Sequence, residues 1–265
     1  MVKQFYLVGL FLFILSSNVL ADKAYTFGVV PQQAASKLVK TWLPVFQYIE
    51  SKTGIKIKFS TAKNIPAFEK ACKAGAYDFA YMNPYHYITF NQSTDYQAIA
   101  KARGKRIKGI MVVKKDSKYK SLSDLDEKKI AFPSPKAFAA SMLPRAALKE
   151  NKITFTPMYV SSHDSVYRNV AAGIFVSGGG VKRTFKATAP ETREKLKVLW
   201  VSKGFTPHAF AYLKRVPIND MKKIQHALIE MEKDVVGKSL LESLKLKGIV
   251  PAVDSDWNDV RKLNL

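Results

Sequence analysis

Short apolar segments alternate with amphipathic helical ones along nearly the whole chain, and that order leaves few folds open. Residues 25–30 read as a strand, and residues 37–52 place Leu38, Trp42, Val45, Phe46 and Ile49 on one helical face. Gly54 ends that helix, and Ile55-Lys56-Ile57-Lys58-Phe59 alternates as a second strand. A helix over 65–74, a strand over 77–82, a helix from residue 85 and a strand over 96–102 complete a βαβαβ series. A second series follows: a strand at 109–113, a capped turn in Ser121-Leu122-Ser123-Asp124-Leu125, and a strand at 130–132. A helix over 137–150, a strand over 156–160, a helix over 164–172 and a strand over 197–201 continue it. An apolar strand at 210–213 leads into helices near 219–233 and 237–245. There is no internal repeat and no low-complexity linker. The fold class is therefore α/β, in two lobes. Residues 22–112 with 205–265 form the first and 113–204 the second, with crossings near Val113 and Gly204. Ligands of such folds sit at strand C-terminal ends and helix N-termini, facing the cleft between lobes.

The N-terminus carries a different message. Met1-Val2-Lys3 precedes an apolar run over residues 5–15, and Val19-Leu20-Ala21 precedes Asp22. A basic start, a short apolar stretch and small residues before a polar one read as a secretory signal removed after Ala21. The run is shorter than the roughly 20 apolar residues of a membrane span. No cysteine follows Ala21 to carry a lipid, so the mature protein is expected to be periplasmic. The only cysteine, Cys72, cannot form an internal disulfide, and beside Phe68 on a helical stretch it reads as a core residue. No His/Cys cluster suggests a structural metal, and no cofactor is expected.

Lysine and arginine number 43 against 21 acidic residues, a net charge of +22 that drops to +21 once Lys3 leaves. Such a balance invites a nucleic-acid reading. The charges are dispersed (Lys128-Lys129, Lys182-Arg183, Lys222-Lys223) rather than gathered into a basic tail, and the chain reads as exported. A field that favours arrival of anions, or a solvated surface, accounts for them equally well.

Enzyme motifs are absent: no Gly-x-Gly-x-x-Gly, P-loop, Gly-x-Ser-x-Gly or His-Glu-x-x-His. Gly178-Gly179-Gly180 precedes a helix bearing Lys182 and Arg183. The run is either a plain loop or a place where backbone at Gly179 approaches a ligand. Three strand-to-helix loops stand out more. In Tyr81-Met82-Asn83-Pro84-Tyr85-His86-Tyr87, Pro84 suits a first helical turn and Asn83 its cap, while the aromatics favour a pocket wall over packing. In Phe132-Pro133-Ser134-Pro135-Lys136-Ala137-Phe138-Ala139-Ala140-Ser141, a strand runs into a helix whose first turn is small. Free N–H groups there, with the helix dipole behind them, form an anion site. In Val160-Ser161-Ser162-His163-Asp164, His163 lies where it can reach a cleft, the alternative being an exposed histidine beside a cap.

Together these segments resemble the phosphate/phosphite/phosphonate-binding proteins of ABC transporters. The resemblance rests on Gly28-Val29-Val30-Pro31, Trp42-Leu43-Pro44, Tyr48-Ile49-Glu50, Gly54-Ile55 and Tyr77-Asp78-Phe79-Ala80-Tyr81. The stretch Ser121-Leu122-Ser123-Asp124-Leu125, Ala131-Phe132-Pro133, Ser162-His163-Asp164-Ser165 and Ala189-Pro190-Glu191 extend it over nearly the whole mature chain. That family is similar in fold to type II periplasmic binding proteins, whose two lobes close on an oxyanion. The resemblance places Tyr81 in the strand-end aromatic region and matches His163 to the family's ligand histidine. It also exposes two departures. Ala137-Phe138-Ala139 stands where aminophosphonate-binding members carry Ser-Thr-Ser, leaving Ser134 and Ser141 as the nearby hydroxyls. Gly178-Gly179-Gly180-Val181 and Thr206-Pro207-His208 stand where such members carry carboxylates for the ligand's amine. A buried ammonium without a counter-charge is costly, which argues against an aminoalkyl ligand.

The expected site comprises Tyr81, Asn83, Tyr85, Ser134, Ala137, Phe138, Ala139, Ser141, His163, Gly179 and His208, the last for its place at the second crossing. The expected function is capture of a small phosphonate, phosphite or phosphate-like oxyanion by a monomer that delivers it to an inner-membrane ABC permease. The same fold could serve instead as the ligand-binding subunit of a membrane sensor kinase. Without a nucleophile–base pair or metal set, an enzyme is not expected.

Overall fold

In the computed structural model, residues 24–263 are described; the expected signal segment lies outside them. The chain runs β1 (Ala24–Val29), α1 (Ala35–Thr53), β2 (Lys56–Ser60), α2 (Ile65–Lys73), β3 (Phe79–Met82), α3 (Pro84–Thr94) and β4 (Tyr96–Ala102) before leaving the first lobe. The second lobe begins with β5 (Gly109–Lys114) and β6 (Lys128–Phe132). A π-helical turn, Phe138–Met142, then runs directly into α4 (Leu143–Glu150). It continues through β7 (Phe155–Tyr159), α5 (His163–Ala171), β8 (Ser177–Val181), α6 (Lys182–Lys186), α7 (Pro190–Arg193) and β9 (Leu196–Val201). The chain then returns to the first lobe as β10 (Ala209–Leu213), α8 (Ile218–Glu230), α9 (Val235–Ser243), β11 (Ile249–Pro251) and α10 (Asn258–Arg261).

The first sheet is ordered β11-β4-β10-β3-β1-β2 and the second β7-β6-β8-β5-β9. Strands β1, β2 and β3 pair in parallel, as do β6, β7 and β8, so the loops after β1, β3, β6 and β8 all open on the C-terminal edges of their sheets. The helices pack as their patterns require. The predicted face of α1 (Leu38, Trp42, Val45, Phe46, Ile49) is buried against the first sheet, where Phe27 and Phe46 have centroids 4.7 Å apart. Asn64, Asn83, Ser162 and Asp234 each accept a hydrogen bond from a first-turn N–H, capping α2, α3, α5 and α9. Cys72 is wholly buried beside the equally buried Phe68.

Two expectations need correction. The strand at 109–114 pairs with β8 and β9, not with any strand of the first sheet, so the first crossing occupies residues 103–108 rather than the neighbourhood of Val113. The cause is burial on both faces: Ile110 and Val112 face one core of the second lobe, Met111 and Val113 the other. The return crossing occupies residues 202–208, and a bridge between Ile107 and Phe205 joins the two crossings. The glycine run is likewise no loop. It forms the fully buried strand β8.

A Cβ at Gly179 would lie 2.0 Å from the carbonyl oxygen of Ala140, and one at Gly109 2.2 Å from that of Ala139. The two glycines therefore let the π-helical turn press directly onto β5 and β8. The Gly179→Ala variant should lose roughly 1–3 kcal/mol, the usual cost of overpacking. Urea unfolding checks this, with the midpoint falling at unchanged m-value.

Candidate functional site

The site follows from how helix α4 begins. Pro144 has no N–H to offer the carbonyl of Ala140, and its ring would crowd that oxygen in a regular α-helix. The chain responds by widening. Ser141 and Met142 both donate to the carbonyl of Ala137, at 2.7 and 3.3 Å, and Leu143 donates to that of Phe138. The carbonyls of Ala139 and Ala140 lie on the two strand glycines instead. At the N-terminal end, Ala137 N–H donates to the carbonyl of Ser134 at 3.3 Å, while the N–H groups of Phe138, Ala139 and Ala140 have no acceptor among the described residues. The free trio is thus shifted one residue from the predicted 137–139. Single-turn π-helices of this kind recur at functional sites.

This turn lines a small cavity of about 10 Å³ between the lobes, walled by buried residues. The first lobe contributes Val30, Gln32, Ile65 and Asn83 and the second Ala137, Phe138, Ala139, Ala140, His163 and Val181, with Ile107 of the crossing completing it. The volume suits about one water molecule. Several bonds hold the lobes together around it. His163 N–H donates to Gln32 O at 3.2 Å, Asn83 Nδ2 to Lys136 O at 3.3 Å, Ala34 N–H to Asp164 at 3.3 Å, and Lys37 Nζ to Ala187 O at 2.5 Å.

His163 is the first residue of α5 and is 1% exposed, so the exposed alternative is excluded; Ser162 provides the cap. Its Nδ1 lies 3.0 Å from Thr184 Oγ1, which also contacts Tyr167 Oη at 2.8 Å, and its Nε2 has no partner. Burial, and next the nearby Arg183 charge, hold the ring down to a pKa of about 3, so it is neutral near pH 7. His208 is buried against Tyr81, with rings stacked at 4.9 Å and 19°, and its Nε2 is also unpartnered. Burial lowers its pKa well below the usual histidine value, with Arg183, His86 and His163 adding to the effect. The hydroxyls of Ser134 and Ser141 are buried and unpartnered beside the turn. An unsatisfied buried polar group costs about 1–3 kcal/mol. Four such atoms lie on these four predicted residues.

Asn83 lines the cavity but its amide is committed, Oδ1 accepting from His86 N–H at 2.8 Å and Nδ2 tying the lobes together. The aromatic loop divides its labour. Tyr81 walls a second, outer cavity, whereas Tyr87 is core, with its ring 4.5 Å from Trp257 and its hydroxyl donating to Asp254. His86 is buried, 3.0 Å from Glu69. Of the predicted residues, Tyr85, Ser134, Ser141, Gly179 and His208 line neither cavity. Tyr85 packs half-buried against a hydrophobic cluster that spans both lobes, and Gly179 is spent beneath Ala140.

Arg183 and Gln32 were missed by the sequence reading. Arg183 Nη2 donates to Gln32 Oε1 at 2.9 Å across the cleft, and both line the outer cavity, of about 320 Å³. Arg183 was visible only as a basic residue after a glycine run; that the run is a strand ending at the cleft is what gives it position. Neither cavity is lined by a carboxylate. Among the described residues, no group of three or more His, Cys, Asp or Glu could hold a metal ion, and no helix is long and apolar enough to cross a membrane.

Two α/β lobes meeting over buried, unpaired donors define a two-lobed solute-binding protein with the fold of the type II periplasmic binding proteins. The chain belongs to the family of phosphonate ABC transporter periplasmic substrate-binding proteins, whose model matches residues 27–257. It is 22% identical over 268 residues to a phosphate-import protein of Mycolicibacterium smegmatis, an alignment covering 89% of this chain and 83% of the relative. A binding protein component of an ABC phosphonate transporter from Pseudomonas aeruginosa superposes with a TM-score of 0.85 at 16% identity, covering 92% of this chain and 86% of that one. A Prochlorococcus marinus protein in complex with methylphosphonate gives 0.83 at 17% identity, covering 92% and 99%. The family is one of binding proteins, not enzymes.

The neutral His163 predicts a pH dependence. Its folded pKa lies below the ordinary 6.5, so the unfolded chain binds the extra proton between pH 6.5 and about 3. The stability it supports is intact above pH 6.5 and is lost on acidification, at roughly 1.4 kcal/mol per pH unit. Thermal unfolding of ligand-free protein between pH 7 and 4.5 should show a shallower fall in Tm for His163→Gln than for wild type.

Proposed function

We propose that the protein captures a small tetrahedral oxyanion, a phosphonate, phosphite or phosphate, between its lobes for delivery to an ABC permease. The observation that carries this reading is the convergence of unpaired donors at the lobe interface. These are the N–H groups of Phe138, Ala139 and Ala140 with Nε2 of His163, which donates in the tautomer whose Nδ1 accepts from the Thr184 hydroxyl. The buried hydroxyls of Ser134 and Ser141 and Nε2 of His208 are likewise unpartnered among the described residues. Main-chain donors at a helix N-terminus favour an anion through their partial positive charge and need no counter-charge of their own. Backbone N–H groups replace the hydroxyls that Ala137-Phe138-Ala139 cannot supply. The relatives' ligands agree in kind: one is named for phosphate import, and another holds methylphosphonate.

A chamber of about 10 Å³ is too small for such an ion, so binding proceeds from separated lobes. The crossings at 103–108 and 202–208 are the hinge, because only these segments connect the two sheets. On closure the ions' oxygens replace water at donors that are otherwise left unpaired, and the ligand itself favours the closed state. An aminoalkyl phosphonate is disfavoured, since no carboxylate lines either cavity to meet its ammonium. Export by a cleaved leader, and a single-copy protein that docks on its permease, complete the proposal.

Isothermal titration against phosphite, methylphosphonate, phosphate and aminoethylphosphonate tests it. One of the first three should bind, and His163→Ala should weaken it by about 1–3 kcal/mol. Tight binding of the aminoethyl compound alone, or an affinity indifferent to His163→Ala, would refute the reading.

A further inference from the structure

The outer cavity differs in chemistry from the inner one. Its walls bring together Lys37 and Lys245 from the first lobe and Arg183 and Lys186 from the second, with no carboxylate among the lining residues. Among the described residues, none of the four forms an ion pair. Lys105 adds to the same field: its ammonium donates to the carbonyl of Lys245. The inner chamber, by contrast, offers neutral donors only: main-chain N–H groups and an uncharged histidine. The two spaces adjoin. Val30 and Gln32 line both, and the Arg183–Gln32 hydrogen bond, 2.9 Å long, stands at the divide.

We infer that the natural ligand carries a second anionic group, a carboxylate or a second phosphoryl, joined by a short linker to the headgroup in the inner chamber. This deepens the functional reading above and rests on it. The tetrahedral head would occupy the neutral donors, and the linker would pass Gln32. The second acid would then meet Arg183 and Lys186 from one lobe and Lys37 and Lys245 from the other, so that the ligand bridges both lobes at two places. Like charges left without a counter-charge on both sides of a closing cleft repel one another, and an anion placed between them removes that penalty on closure. A cation set that only hastened arrival of anions would act on every anionic ligand alike. A bridging set acts on the second acid group alone.

Titration of phosphonoacetate and propylphosphonate, which share a headgroup and differ in the second charge, tells these apart, with methylphosphonate as reference. Phosphonoacetate should bind at least tenfold more tightly than propylphosphonate to the wild-type protein. In the Lys186→Gln/Lys245→Gln double variant, whose substituted side chains are exposed and whose Tm serves as a folding check, that ratio should collapse toward one. If methylphosphonate binds but phosphonoacetate holds no advantage over propylphosphonate, the second-anion inference is overturned while the oxyanion reading stands. A tenfold advantage that survives the double variant overturns the assignment of the outer cations. Absence of binding by all three compounds overturns this inference; the oxyanion reading itself falls only if phosphite and phosphate also fail to bind.

Discussion

The carbonyls of Ala139 and Ala140 rest on glycines of two adjacent strands, and from that close approach the rest of the interface follows. Pro144 supplies no N–H to the Ala140 oxygen one turn on, and that oxygen lies against Gly179. Any side chain at Gly109 or Gly179 would occupy the space these oxygens need. With the turn seated this way, its first three free N–H groups belong to residues that line the gap between lobes. A proline, two glycines and a run of alanines thus produce a corner of free main-chain N–H groups without a charged side chain.

Electrostatics separates the cleft into an inner neutral part and an outer cationic part. Burial keeps His163 and His208 uncharged, and Arg183, which contributes to the depression of both, sits where the two parts meet. In the proposed binding mode, an oxyanion deep in the cleft is met by hydrogen bonds rather than by a buried ion pair, whose desolvation would offset much of the Coulombic gain. The positive charge stays nearer solvent, where it costs little and still shapes the potential along the entrance.

Much of this was legible in the chain. The apolar face of α1, the caps at Asn83 and Ser162, and the strand–helix order follow from local periodicity and short-range hydrogen bonding. His163 and the Ala137 corner could be singled out because strand-to-helix junctions in α/β lobes face the cleft. Other features were not legible. The strand at 109–114 is equally apolar whichever sheet it joins, so its membership depended on pairing with β8 and β9. Gly178-Gly179-Gly180 has the composition of a loop, and becomes a buried strand only because helix α5 and the π-helical turn need to approach it. Tyr85, set among aromatics that look like a pocket wall, packs half-buried on a hydrophobic cluster shared by both lobes, a placement no local pattern gives.

The amino-acid sequence by itself determined the two α/β series, the family resemblance, the lack of carboxylates for a ligand amine and the corner at which N–H groups are left free, because each depends on residues within about one helical turn or one strand of each other. Only the tertiary structure decided which three N–H groups those are, that Gln32 meets Arg183 across the cleft, and that four cations from two lobes face one cavity. Gln32 and Arg183 alone lie 151 residues apart along the chain. No local pattern encodes such a separation; it is set by how the two sheets close on each other.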